Sequence, residues 1–192
     1  MPDRNQAALK FLLSRRSRPA KTLQPPVPDL ETLTTILTAA ARTPDHGKLE
    51  PWRFIVLERL ALARIADLVE AHGTETGLPA EDVAKGRAQF DQGHLCVAVV
   101  ESPKPSEKIP AIEQSYSAGA VCLSLVNAAL ASGWGANWLS GWPSHDADFA
   151  RSAFGLRDGE RIAGLIYLGS ETAVPPERPR PDLTAITTWV SS

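Results

Sequence analysis

The segment from Ile112 to about Ser132 constrains the fold more than any other. Ile112, Tyr116, Gly119/Ala120, Leu123, Val126 and Leu130 recur at helical intervals, and the other positions are mostly small or apolar too. A helix apolar nearly all round is a central one, packed on several sides. Upstream of it, Leu95–Val100 is a continuous β-prone run, as expected of a strand buried on both faces. At roughly 100–200 residues per domain, the 192 residues supply one domain, 1–192, with a real core.

The remaining segments dress that centre. Ala8, Leu9, Leu12 and Leu13 make an apolar stripe on a helix over 3–16, with Arg15 and Arg16 at its C-terminal end. Pro19, Pro25, Pro26 and Pro28 make 17–28 an extended connector. Asp29 caps a helix carrying Leu30, Leu33, Ile36/Leu37 and Ala40/Ala41, which stops near Arg42 because Thr43 precedes Pro44. A strand follows over Trp52–Leu57, then a helix over 59–72 with Gly73 as its stop, and a further helix over 80–91. Gly133 ends the central helix, and GWGANWLSGWP is a loop running into a short strand. Ser144 caps a helix to Phe154, and Ile162–Leu168 is the last strand. The proline-rich tail 171–192 keeps Leu183, Ile186 and Trp189 and is expected to dock on something. Helices come in consecutive groups, which points to an α+β fold with a mixed central sheet flanked by helices.

Several function classes drop out. Lys and Arg number 20 against 22 Asp and Glu, a formal charge of −2, so no global basic excess serves nucleic-acid binding. Cys96 and Cys122 sit in apolar sequence without ligand spacing, and His46, His72, His94 and His145 show none either, so no metal site is expected. Two unpaired thiols suit a reducing cytoplasm. Arg15-Arg16 is not an export signal, because the apolar residues precede the pair. No stretch has the ~20 apolar residues of a membrane span. GxSxG, P-loop, HExxH and GxGxxG motifs are absent.

Three local groups carry candidate chemistry. Arg15-Arg16-Ser17-Arg18 offers guanidinium groups and a hydroxyl in one turn, the donors a phosphate dianion needs; the alternative is a solvated helix end. Arg42-Thr-Pro-Asp-His46 falls where a helix breaks, and His46 there is either a ligand contact or bonded to nearby backbone. Trp134 to Trp142 interleaves glycines with tryptophans, which suits either a planar ligand or ordinary core and interface packing. Glu113 beside Gln114 is a candidate carboxylate base or part of a partly buried polar pair.

LLSRRSRP (12–19), AARTPDHGKLEPWRFIVLE (40–58), KIPAIEQSYSAGAVCLSLVNAALASGWGANWLSG (108–141), GLIYLGS (164–170) and ERPRPDL (177–183) together resemble the nitroreductase family of FMN-dependent oxidoreductases, over nearly the whole chain. The resemblance implies a homodimer with FMN in the subunit interface and a C-terminal tail docking on the partner subunit. It implies flavin contacts from Arg15, Arg16, Ser17, Arg42, His46, Trp138, Leu139 and Ser140, some of them across the interface, and a looser match of Arg178 and Arg180 to a phosphate-binding pair. Ala128, Ala129, Leu130, Ala131, Ser132 and Gly133 match a region associated with the nicotinamide nucleotide. The implied activity is transfer of reducing equivalents from NADH or NADPH, as co-substrate, through FMN to a small nitroaromatic or quinone-type acceptor. Two other readings are a flavin carrier or sensor without turnover and a specialised flavin enzyme on the same fold, dehalogenase-like. A bound flavin carries the redox chemistry itself, which accounts for the missing acid–base motifs.

Overall fold

A computed structural model describes residues 3–191. In chain order the elements are α1 (Gln6–Ser14), β1 (Leu23–Gln24), α2 (Leu30–Ala40), β2 (Trp52–Glu58), α3 (Arg59–Glu75), α4 (Ala80–Asp91) and β3 (Leu95–Glu101). They continue with α5 (Ala111–Ala131), β4 (Gly135–Leu139), α6 (Trp142–His145), α7 (Ala147–Phe154), β5 (Arg161–Glu171) and α8 (Leu183–Ile186).

The sheet runs β1-β5-β3-β2, and β4 also pairs with β5. Every pairing is antiparallel, so the sheet within this chain is not mixed in strand direction. The α3–α4 hairpin explains this for β2 and β3: two helices return the chain to the end of the sheet it left, so β3 runs back along β2.

All seven residues of β3 are buried, as its unbroken apolar run requires. Cys96, Ala98 and Val100 face one core with Leu62, Ile65 and Val69 of α3, Phe90 of α4 and Phe149 and Phe154 of α7. Leu95, Val97 and Val99 face the other, with Leu33 and Ile36 of α2 and Val121, Cys122 and Leu125 of α5. Helices therefore cover both faces of the sheet. Burial raises both thiols, Cys122 to about 12, so neither is a thiolate nucleophile.

Some element ends differ from the sequence expectation for identifiable reasons. Gly73 lies inside α3 because a Cβ there would collide with Val83 of α4; the chain turns instead at Gly77, at φ +73°. Asp146, rather than Ser144, caps α7 by accepting from Phe149 N–H at 2.9 Å. The connector contains a two-residue strand, β1, held against the end of β5.

The 21-residue α5 is only half enclosed. Val121, Cys122, Leu125 and Val126 are buried, whereas Ile112, Tyr116 and Leu123 stand exposed in a row. No residue of α1 is buried, and Leu12 and Leu13 point to solvent.

Arg53 of β2 holds Glu160 through paired bonds of 2.8 and 2.7 Å, with a third from Arg157 N–H at 2.8 Å. These donors bring the Glu160 carboxyl down from 4.5 to about 2, the Arg53 hydrogen bond being the largest cause. Glu160→Gln is expected to cost about 2 kcal/mol in urea unfolding at neutral pH. The folded pKa is depressed, so this contribution is present above 4.5 and is lost as pH falls toward about 2. The two proteins should converge over that window.

Candidate functional site

Asn5 starts α1 by accepting from Ala8 N–H at 3.0 Å, and Arg15 ends it in extended conformation. The chain from Arg15 then leaves the helix and runs beside β4: Arg18 N–H donates to Ala136 O at 2.9 Å, and Asn137 Nδ2 donates to Arg18 O. Arg18 is tied further by an ion pair to Glu171 at 2.7 Å. A flexible basic run thus becomes a fixed edge.

That edge meets the tail. Arg15, Arg16, Ser17, Arg178 and Arg180 line one cavity of about 300 Å³. Arg15 Nη2 reaches Ser17 Oγ at 3.2 Å, and Arg180 pairs with Glu177 at 2.8 Å. Among the described residues no carboxylate forms an ion pair with Arg15 or Arg16, and the Nε atoms of both are buried without a hydrogen-bond partner. Burial first, then repulsion from Arg180 and Arg16, lowers the Arg15 pKa. Guanidinium groups assembled with orphaned donors fit a multiply charged anion such as a phosphate monoester.

Trp138, Leu139 and Ser140 carry β4 onward from Asn137. Trp138 lies against the backbone of β5 at Gly164, where an added Cβ would overlap the indole ring. Trp138 remains 40% exposed as a residue, so it is not sealed into the core and is open to a planar ligand. Leu139 packs on the core. Ser140 lines a second cavity of about 290 Å³, with Asp82, Lys85 and Gln89 of α4 and Trp142 opposite.

Arg42 and His46 are elsewhere in the chain. Neither is on the wall of the arginine cavity. His46 Nδ1 lies 2.6 Å from Glu113 Oε2 at the start of α5, close in sequence to the uncovered Ile112 and Tyr116. Gln114, by contrast, is structural: it exchanges bonds of 2.8 and 2.9 Å with the Lys104 backbone.

Ala128–Gly133 forms the C-terminal turn of α5, with Ala129 buried and Gly133 at φ +83°. The N–H groups of Ser132, Gly133 and Trp134 bond back to helix carbonyls. Ser132, Gly133, Trp134, Ser170 and Glu171 line an open cleft there. A helix C-terminus beside a glutamate disfavours phosphate and leaves uncharged contacts as the chemistry on offer.

Asn137 was not among the expected site residues, although it anchors the basic edge; its partner, Arg18, is 119 positions away. Glu113 was visible as a carboxylate, but its bond to His46 spans 67 positions. Among the described residues no three His, Cys, Asp or Glu side chains form a metal cluster, and no helix is long and apolar enough to cross a membrane.

Comparison with known proteins gives a consistent family. The sequence model of the Nitroreductase family matches residues 12–170. "Putative NAD(P)H nitroreductase YdjA" of Escherichia coli strain K12 is 35% identical over 163 residues, covering 85% of this chain and 87% of that protein. Among solved structures, a nitroreductase-like family protein from Bacillus cereus superimposes with a TM-score of 0.79 at 22% identity, covering both chains fully. A structure titled as a putative nitroreductase in complex with FMN, from Desulfovibrio desulfuricans, has a TM-score of 0.74 at 19% identity and covers 98% of this chain and 99% of its own.

The Asn137 bond to the Arg18 carbonyl holds the basic edge against β4. Asn137→Ala should accelerate limited tryptic cleavage between Arg15 and Arg18 roughly tenfold, about 1.4 kcal/mol of local opening. An unchanged cleavage rate would place the restraint elsewhere.

Proposed function

The chain belongs to the nitroreductase family, and on that footing we propose that it is an FMN-dependent NAD(P)H oxidoreductase working as a homodimer. It passes reducing equivalents from a nicotinamide nucleotide to nitroaromatic or quinone-type acceptors, in a cytoplasm that keeps its two buried cysteines reduced. The observation that carries this reading is the arginine cavity. Its unpaired, buried guanidinium atoms are costly unless an anion completes them, and the flavin phosphate is an anion of the right charge.

Arg15, Arg16 and Ser17, with Arg178 and Arg180 folded over them, hold the phosphate. Trp138, Leu139 and Ser140 lie along the ring. The flavin, when bound, supplies hydride acceptance and donation. Ser132 and Trp134 meet the uncharged part of the nicotinamide nucleotide.

The second chain completes the site. His46 is bonded to Glu113 at the start of α5, beside the exposed Ile112 and Tyr116, and Arg42 precedes Thr43, which reaches Ser124 next to the exposed Leu123; this row is the face a second copy covers. The tail beyond Arg180, with Leu183 at 70%, Ile186 at 67% and Trp189 at 90% exposure, docks on that same partner. Docking by exchange of equal segments buries the apolar surfaces of both chains.

Three measurements check this. The purified protein should carry a flavin spectrum that NADH or NADPH bleaches anaerobically; failure with both nucleotides would remove the enzyme reading. Arg15→Ala and Arg16→Ala should each weaken FMN about tenfold or more, the worth of a charged hydrogen bond, in fluorescence titration. Light scattering should give a dimer mass that Leu123→Arg halves.

A further inference from the structure

We propose that Glu113 is a positioning residue for His46, fixing which imidazole nitrogen faces out of the chain. The inference rests on the reading that His46 contacts the flavin. Its basis is the 2.6 Å separation of His46 Nδ1 from Glu113 Oε2. An ionised carboxylate only accepts, so the proton of the neutral ring resides on Nδ1 and the lone pair on Nε2. Nε2 then presents an acceptor to an N–H or O–H group of the bound flavin.

The loop is built to hold this arrangement. Asp45 accepts from the Leu49 and Glu50 N–H groups at 2.6 and 3.3 Å. Ser117 of α5 donates to Pro44 O at 3.0 Å and accepts from Trp52 Nε1 at 3.1 Å. Thr43 reaches Ser124, also of α5, at 2.9 Å. Gly47 takes φ +76° where a Cβ would strike the Ile109 side chain, and Lys48 and Glu50 are held at positive φ. A backbone fixed at both flanks has only the imidazole torsions left to set, and Glu113 sets them.

The dyad does no work for the fold of a single chain. The His46 side chain is 63% exposed and that of Glu113 42%. Exposed pairs of this kind contribute little to stability. Their placement beside Ile112 and Tyr116 puts them instead on the face a second chain covers.

The test uses the full-length protein labelled with 15N, apo and loaded with FMN, over a pH series carried up until the imidazole signals stop changing. Long-range proton–nitrogen correlation reads the His46 tautomer, and fluorescence titration reads FMN affinity. Wild type should show the Nδ1–H form. Glu113→Gln, whose amide oxygen still accepts, should keep that form and an FMN affinity within about twofold, whereas Glu113→Ala should shift to the Nε2–H form and bind FMN about tenfold more weakly. An Nε2–H tautomer in wild type, or Glu113→Ala with tautomer and affinity both unchanged, overturns the proposal. His46→Ala separates the two layers. If it leaves FMN affinity intact while Glu113→Ala still shifts the tautomer, the flavin contact of His46 is refuted and the hold of Glu113 on the ring stands.

Discussion

Helix α5 has more apolar surface than one chain can cover, and much of the molecule is arranged around that excess. Its inner side closes the core against β3 and β5 through Val121, Cys122 and Leu125. Its outer side leaves Ile112, Tyr116 and Leu123 in water, with no neighbour within 4 Å of the position where Gly119 would carry a Cβ. Burial of such side chains is worth about 1.5–3 kcal/mol each, so leaving them uncovered forgoes several kcal/mol. The exposed leucines of α1 and the tail repeat the pattern. The second copy of the proposed homodimer would cover all three surfaces at once.

Electrostatics imposes the complementary demand. Arg15, Arg16, Arg178 and Arg180 converge, and among the described residues Glu177 is the one carboxylate paired with any of them. Like charges at this separation repel, as the lowered Arg15 pKa reflects, and the arrangement is costly for the isolated chain. The backbone bonds of Arg18 to Ala136 and Asn137 hold the edge in place against that repulsion. Strain of this kind is relieved by a bound anion, which couples ligand affinity to the stability of the edge itself.

The sequence made the centre legible and the periphery less so, for physical reasons. The buried strand β3 and the helix α5 announce themselves because burial on several sides forces an apolar run or an apolar circumference. Periodicity says that α5 has a stripe at Ile112, Tyr116 and Leu123, but not that this stripe is the one its own chain leaves bare. Gly73 read as a helix stop, yet it is small because α4 passes close at Val83. The two residues of β1 exist only by pairing with β5, which no local pattern records. Among site residues, the arginine cluster stood out by local charge. Asn137 did not, and Glu113 was read as a carboxylate without its His46 partner, since each acts through a residue distant in sequence. The flavin contact proposed for His46 comes from the resemblance to a known family and not from its spacing.

The separation of the two polar groups within one chain gives the proposed dimer a functional reason beyond apolar burial. Arg15 to Arg18 are fixed near Ala136, just past the C-terminal end of α5, while Glu113 and His46 mark the first turn. Twenty-one residues of helix at about 1.5 Å per residue span roughly 30 Å. A flavin is shorter than that, so a ligand held by its phosphate at one group is not expected to reach the other by following α5 in the same chain. In the proposed homodimer, two copies packed antiparallel along α5 would bring the first turn of one against the last turn of the other. In the proposed homodimer the uncovered stripe is therefore also the track that brings His46 to the arginine cavity opposite. In that proposed assembly, association and cofactor binding would stabilise each other, because each completes surface that the other leaves unsatisfied.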